Sequence, residues 1–327
     1  MKKLITLISM LMLLTLGVSS VKADTDSSSS SSASSTTLSD NTPIVTLGSS
    51  LTSAQRQGTV KTLTSSLNGS SYNTITVTGS DLVKYLNPSG DNFTTSSGVW
   101  SSAMIQKTSS GSGINVHILD YNGAENITTI TANQYKNAAL TAGITDADIY
   151  ITSATPIDGS GALAGIYKAY AKTGNSLNQS RVNAAQDEMG TLSSITKANK
   201  NKDGYSDAQL NNAVAQAKSE MAKYGNNISK SQITNIVNTQ LQNNNLTNVI
   251  TNNQKQQIIN ILVEIRDSGA LNSSSFKSQA ASLAKNIQAN AKGIFDKLNT
   301  QENRNLLQKI WDAVVNFISN LFKSFSN

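Results

Sequence analysis

The chain of 327 residues has no cysteine, one histidine and three prolines, and is poor in aromatic and charged side chains, at 5% and 14%. Each scarcity excludes something. Without cysteine there are no disulfides, no thiol nucleophile and no lipid-modified cysteine, so stability has to come from buried apolar surface. One histidine and no cysteine cannot supply the four ligands of a structural zinc site. A Ser-His-Asp triad would have to use His117, and no G-x-S-x-G turn accompanies it. The formal charge of +6 offers no nucleic-acid footprint, because Lys2, Lys3 and Lys22 lie in the first 23 residues and the other 304 carry 23 basic against 20 acidic groups.

What is present begins with Lys2 and Lys3, an apolar run from Leu4 to Val18 and the small-residue pattern Val21-Lys22-Ala23. This predicts a secretory signal peptide over residues 1–23, cleaved after Ala23. The run is shorter than the roughly 20 residues that span a bilayer. Residues 24–43 are almost wholly Ser, Thr, Asp and Ala, which cannot bury enough apolar surface to offset the entropy of ordering, so a disordered spacer is expected. The expected location is outside the cell, secreted or at the cell surface.

From residue 44 the pattern alternates between strand and helix signals. Ile44 to Leu47 opens it, and Thr52-x-x-Gln55 is a capping box for a helix to about Leu67. Thr74 to Thr78 reads as a strand, and Ser80 as the cap of a helix that Pro88 stops. Trp100 to Lys107 and Ile114 to Asp120 read as two strands of a hairpin across the Gly- and Ser-rich Ser109 to Gly113. A helix from about Ala132 to Ala142 ended by Gly143, a strand from Asp148 to Thr152 and a helix from Gly161 to Ala171 follow. Beyond Gly174 only helices are expected, at roughly 177–197, 207–224, 230–242, 252–267, 274–297 and 302–325, with capping boxes at Ser206 and Ser229. The expected class is α+β: a mixed α/β domain over 44–174, then an all-helical region over 175–327.

Four stretches, in order, carry a family resemblance: Thr46-Leu-Gly-Ser-Ser-Leu-Thr-Ser-Ala-Gln-Arg, Ile127-Thr-Thr-Ile-Thr, Tyr135-Lys-Asn-Ala-Ala-Leu-Thr-Ala-Gly-Ile-Thr-Asp-Ala and Gly161-Ala-Leu-Ala-Gly-Ile-Tyr-Lys-Ala-Tyr. Through them residues 46–172 resemble the secreted YpuA-like proteins of Gram-positive bacteria, domain of unknown function 1002. The resemblance implies an exported protein of unassigned activity and carries over no catalytic residues.

Several local patterns could carry chemistry. His117, with Asp120 and Tyr121 beside it, could line a binding cleft, against the plainer reading of a half-buried strand histidine. Asn199-x-Asn201-x-Asp203-Gly204-x-x-Asp207 copies the first part of a calcium loop, but its twelfth position is Leu210 instead of the bidentate Glu, which makes an ordinary turn the simpler reading. No metal or other cofactor is therefore expected. The Gly-rich turn Asp158 to Gly165 lacks the Lys-Ser/Thr of a P-loop and is better explained by close packing of helix on sheet. Asp146 and Asp148 are an acidic pair of unknown separation.

The segment 302–325 has a broad apolar face including Trp311, Phe317, Phe322 and Phe325. It fits internal packing, a protein partner or peripheral contact with a membrane. The leading expectation is a non-enzymatic protein that binds an envelope component or protein partner. The alternatives are a cell-wall or glycan hydrolase using carboxylates of the α/β domain, and a protein acting at the membrane interface through residues 302–325.

Overall fold

In the computed structural model, which describes residues 42–298, the chain enters at β1 (Ile44–Gly48). Successive side chains of a strand point to opposite faces. Val45 and Leu47 go to one face of β1 and Ile44 and Thr46 to the other, and all four are buried, so both faces are covered. Helix α1 (Ser53–Leu63) starts at the expected capping box, with the Gln55 amide donating to Thr52 Oγ1 at 3.3 Å and the Thr52 amide donating to Gln55 Oε1 at 3.0 Å. β2 (Asn73–Val77) and α2 (Gly79–Tyr85) come next. The cap of α2 is Thr78, not Ser80: the Thr78 amide and hydroxyl both donate to Asp81 Oδ2, at 2.8 and 3.0 Å.

β3 (Ser101–Lys107), β4 (Ile114–Ile118), α3 (Ala132–Ala142), β5 (Ala147–Ser153) and α4 (Ser160–Lys172) complete the sheet layer. The strand order is β2-β1-β3-β5-β4, with β1 parallel to β2, β5 parallel to β4, and β3 antiparallel to both β1 and β5. β3 and β4 are therefore not a hairpin. β5 slots between them, and its seven-residue register with β3 outcompetes the local pairing. Gly143, at φ +100°, ends α3 as expected.

All later elements among the described residues are helical: α5 (Gln179–Asn199), α6 (Asp207–Met221), α7 (Lys230–Asn243), α8 (Asn252–Asp267), α9 (Phe276–Asn290) and α10 (Lys292–Leu298). Ser206 and Ser229 cap α6 and α7 through the Gln209 and Gln232 amides. The single helix expected over 274–297 is broken at Ala291, between Asn290 and Gly293, both poor helix formers.

Helix α4 lies across β1, β2 and β3, and α3 covers β4 on the same face. The approach of α4 is close because Gly165 has no side chain: a Cβ there would sit 2.4 Å from Thr46 Oγ1. Among the described residues the opposite face is covered by α1, over a small cluster of Val45, Leu47, Leu63, Leu67 and Met104. Helices α5, α6 and α9 pack on α3 and in turn carry α7 and α8. Buried apolar residues from Ile44 to Ile287 join in one continuous core, which gives sheet and helices a common interior. No described helix is long and apolar enough to cross a membrane.

Candidate functional site

The expected site residues scatter. His117 is exposed on the outer edge strand β4, on the sheet face that α1 covers only in part, and its ring stacks on Tyr150 of β5 with centroids 4.9 Å apart. Asp120 is exposed, while Tyr121 is half-buried, its hydroxyl against Gly58 of α1, where an added Cβ would lie 2.4 Å away. None of the three lines the cleft described below. The Asp146 and Asp148 carboxylates have separate partners. Asp146 Oδ1 accepts from the Gly113 amide at 3.0 Å and Gln279 Nε2 at 2.7 Å, and Asp148 Oδ1 accepts from Asn115 Nδ2 at 2.9 Å. In the Gly-rich turn, a Cβ on Gly161 would meet Val99 Cγ1 at 2.7 Å, so the glycines serve close packing, as expected. Trp311, Phe317, Phe322 and Phe325 lie outside the described residues.

The calcium-like stretch is the turn between α5 and α6. Asn199 is the last residue of α5, Asn201 and Asp203 are exposed, and Asp207 opens α6. The Asp207 carboxylate turns away from the turn and collects neutral donors from three helices. Thr131 Oγ1 and Asn133 Nδ2 donate to Oδ2 at 3.0 and 3.2 Å, and Asn211 Nδ2 and Thr196 Oγ1 donate to Oδ1 at 2.9 and 3.3 Å. Burial pushes this carboxyl above its usual range, and the hydrogen bonds only partly reverse the effect. Among the described residues no three His, Cys, Asp or Glu side chains form a group able to hold a metal ion.

Below Asp207 the polar seam between α3 and its neighbours continues to a fully buried ion pair. Lys218 Nζ of α6 donates to Glu188 Oε1 of α5 at 2.8 Å, and both side chains are 0% exposed. Lys218 also donates to the Asn137 carbonyl at 3.0 Å and Thr141 Oγ1 at 3.2 Å, and the Thr141 hydroxyl donates to Glu188 Oε2 at 2.6 Å. Desolvation lowers the Lys218 pKa, and the Glu188 charge opposes that shift. Near this carboxylate the buried Tyr167 hydroxyl has no hydrogen-bond partner among the described residues, and its pKa is raised strongly by burial and then by Glu188.

Several ionisable groups meet solvent in a cleft of about 470 Å³ between the turn after α2 and helices α5 and α8. Asp91 lines it from the turn, Gln186, Asp187 and Thr191 from α5, and Ile261 and Glu264 from α8. Gln186 Nε2 donates to Asp91 Oδ2 at 2.8 Å and ties the two walls together. Among the described residues no Lys or Arg lines it. The Asp187 carboxyl is raised to about 6, first by burial and then by the Glu264 and Asp91 charges. Glu264 is also raised, by burial and then by Asp267. Sequence reading missed this site, because its three carboxylates are separated by 96 and 77 positions and no local spacing marks them.

Mixed sheet, helical pack and acidic cleft define an α+β protein, and comparison with known sequences gives the class a name. The family described as "Protein of unknown function (DUF1002)" matches residues 47–283, and the chain belongs to that family. The match extends beyond the resemblance at 46–172 and takes in α5 to α8 and half of α9, so sheet and helices are one family unit. The chain is 28% identical over 284 residues to the uncharacterized protein YpuA of Bacillus subtilis (strain 168), covering 86% of this chain and 89% of that protein. No solved structure matches.

Proposed function

We propose that the protein is an exported binding protein of the cell envelope that holds a cationic ligand in the cleft of Asp91, Asp187 and Glu264. Export is supported by the sequence pattern of residues 1–23, and binding by the cleft itself. The observation that carries the reading is a concavity with three carboxylates and, among the described residues, no lining cation. Mutual repulsion and desolvation keep Asp187 from ionising until about pH 6. A bound ammonium or guanidinium would relieve both costs. The ligand class is therefore an organic cation, such as a basic peptide segment.

Calorimetric titration of the full chain with a lysine-rich peptide at neutral pH tests this. The expected result is saturable binding that added salt weakens and that Asp187→Asn with Glu264→Gln weakens at least about tenfold. Equal binding by the double variant would overturn it.

A hydrolase reading has one observation in its favour, the Asp187 carboxyl at about 6, in the range where a general acid works near neutral pH. It differs from the sequence expectation in drawing its carboxylates from α5 and α8 as well as from the sheet domain. Release of reducing ends from purified cell wall, abolished by Asp187→Asn, would establish it over simple binding. The membrane-interface reading rests on the 302–325 pattern alone. Liposome co-sedimentation of the full chain against a chain ending at Thr300 decides it.

A further inference from the structure

Among the described residues the sheet ends in two outer strands, β2 and β4, and they are finished differently. An outer strand carries a row of N–H and C=O groups that no neighbouring strand satisfies, and proteins blunt that row with charge, proline, bulges or cover. On β2 the Asn73 amide donates to the Pro43 carbonyl and the Ser49 amide to the Val77 carbonyl, so the backbone of Thr74 and Thr76 faces outward. Lys168 Nζ closes that edge by donating to the Thr76 carbonyl at 2.8 Å.

β4 has no such stopper. The Ala147 amide donates to the Gly113 carbonyl and the Leu119 amide to the Ile151 carbonyl. Asn115 and His117 therefore bond to β5, and Ile114, Val116 and Ile118 turn their N–H and C=O groups outward. Among the described residues none of these outward groups has a hydrogen-bond partner. From Thr108 to Leu119 the chain contains no Asp, Glu, Lys, Arg or Pro, so neither charge nor ring guards the edge. Its register with β5 runs from Ile114 to Ile118 without a bulge. The side chains beside the edge are held from within, with the His117 ring stacked on Tyr150 at 4.9 Å and Asn115 Nδ2 donating to Asp148 Oδ1 at 2.9 Å.

We propose that β4 pairs with β4 of a second copy of this chain, antiparallel about a two-fold axis at Val116, joining the two sheets edge to edge. A two-fold interface requires a surface that complements itself, and a row of alternating donors and acceptors does so once reversed. In this register Val116 opposes Val116, and Ile114 opposes Ile118 of the other copy. These are hydrogen-bonded pairs, so every outward group of β4 finds its partner. On the face away from α3, Asn115 opposes His117 of the other copy, an amide beside an imidazole, and no like charges meet. An interface built mainly on one short strand is small, so the dimer belongs with weak associations, at roughly 10⁻⁵–10⁻³ M.

The test is sedimentation equilibrium of the full chain from about 10 μM to 1 mM, with amide hydrogen exchange followed over the same range. The expected result is a monomer–dimer equilibrium in which the Ile114, Val116 and Ile118 amides exchange more slowly as concentration rises. Asn115→Lys with His117→Lys sets lysine against lysine across the axis and should weaken the dimer at least about tenfold. Asn115→Lys with His117→Asp sets opposite charges there and should restore it at low salt, a response that only this register gives. Thermal melts check that both variants fold, and the wild-type dilution series decides alone if either does not. The proposal is overturned by a chain that stays monomeric up to about 1 mM, or by a dimer that ignores both folded variants. It is equally overturned by Val116 protection that does not change with concentration, which would mean that the edge is covered within a single chain.

Discussion

Replacing Lys218 by methionine keeps the length and most of the volume of the side chain and removes only the charge. In the native protein that ammonium contacts Glu188, Thr141 Oγ1 and the Asn137 carbonyl within 2.8 to 3.2 Å, at 0% exposure. Its removal leaves the Glu188 carboxylate in the core with the Thr141 hydroxyl as its remaining donor among the described residues. Breaking a buried pair from one side costs about 3–5 kcal/mol, because the desolvation of the surviving charge is no longer offset. Replacing both partners, as in Lys218→Met with Glu188→Leu, removes that penalty and should recover most of the loss, since apolar substitutes for buried pairs are commonly neutral or stabilising by about 1–4 kcal/mol. The assay is urea unfolding at neutral pH. At a slope of about 2–3 kcal/mol/M the single variant should lose more than about 1 M in its midpoint, and the double variant should return toward wild type. The orphaned carboxylate can escape by taking a proton, so the single variant's deficit should also narrow as pH falls. A single-variant loss under about 1 kcal/mol, or a double variant no better than the single, would refute the claim that the pair is held by mutual compensation.

Other outcomes follow from the cleft and the glycines. Asp187 has its folded pKa raised to about 6 from an ordinary 3.8, so it opposes folding when ionised; wild type should lose stability relative to Asp187→Asn as pH rises from about 4 through 6. Thermal melts of both proteins across that window check the sign, and a constant difference would count against it. Gly165→Ala drives a Cβ to 2.4 Å from Thr46 Oγ1 and should cost about 1–3 kcal/mol. Gly190→Ala, within α5 where nothing lies within 4 Å of the added carbon, should instead stabilise by up to about 1 kcal/mol. Opposite Tm shifts for the two glycines are the readout.

What sequence made legible was local chemistry. Thr52 with Gln55, Ser206 with Gln209 and Ser229 with Gln232 each satisfy their own helix ends three residues away, so their caps could be read without a fold. α3 was bounded correctly at Ala132 and Gly143, but its packing was illegible. Its polar residues Gln134, Asn137 and Thr141 are buried, because α5 and α6 bring them matched polar partners. The same non-local competition inserted β5 between β3 and β4 where proximity suggested a hairpin. His117 drew attention as the sole histidine, yet uniqueness of type says nothing of position, and it lies on an edge strand. The acidic cleft needed the turn at Asp91, α5 and α8 to be placed side by side first.

The bond from Gln279 on α9 to Asp146 beside β5 spans 133 positions. It makes the sheet layer dependent on some of the last residues of the described chain. Long-range closure of this kind slows folding, because loop entropy is lost before the contact rewards it. While α9 is missing, the Gly113–Asp146 end of the sheet lacks its cover and the buried faces of α3 and α6 stand open. A chain emerging N-terminus first would therefore stay unfinished until residue 279 arrives. Under the export proposed above, that delay would act as a brake on folding before translocation.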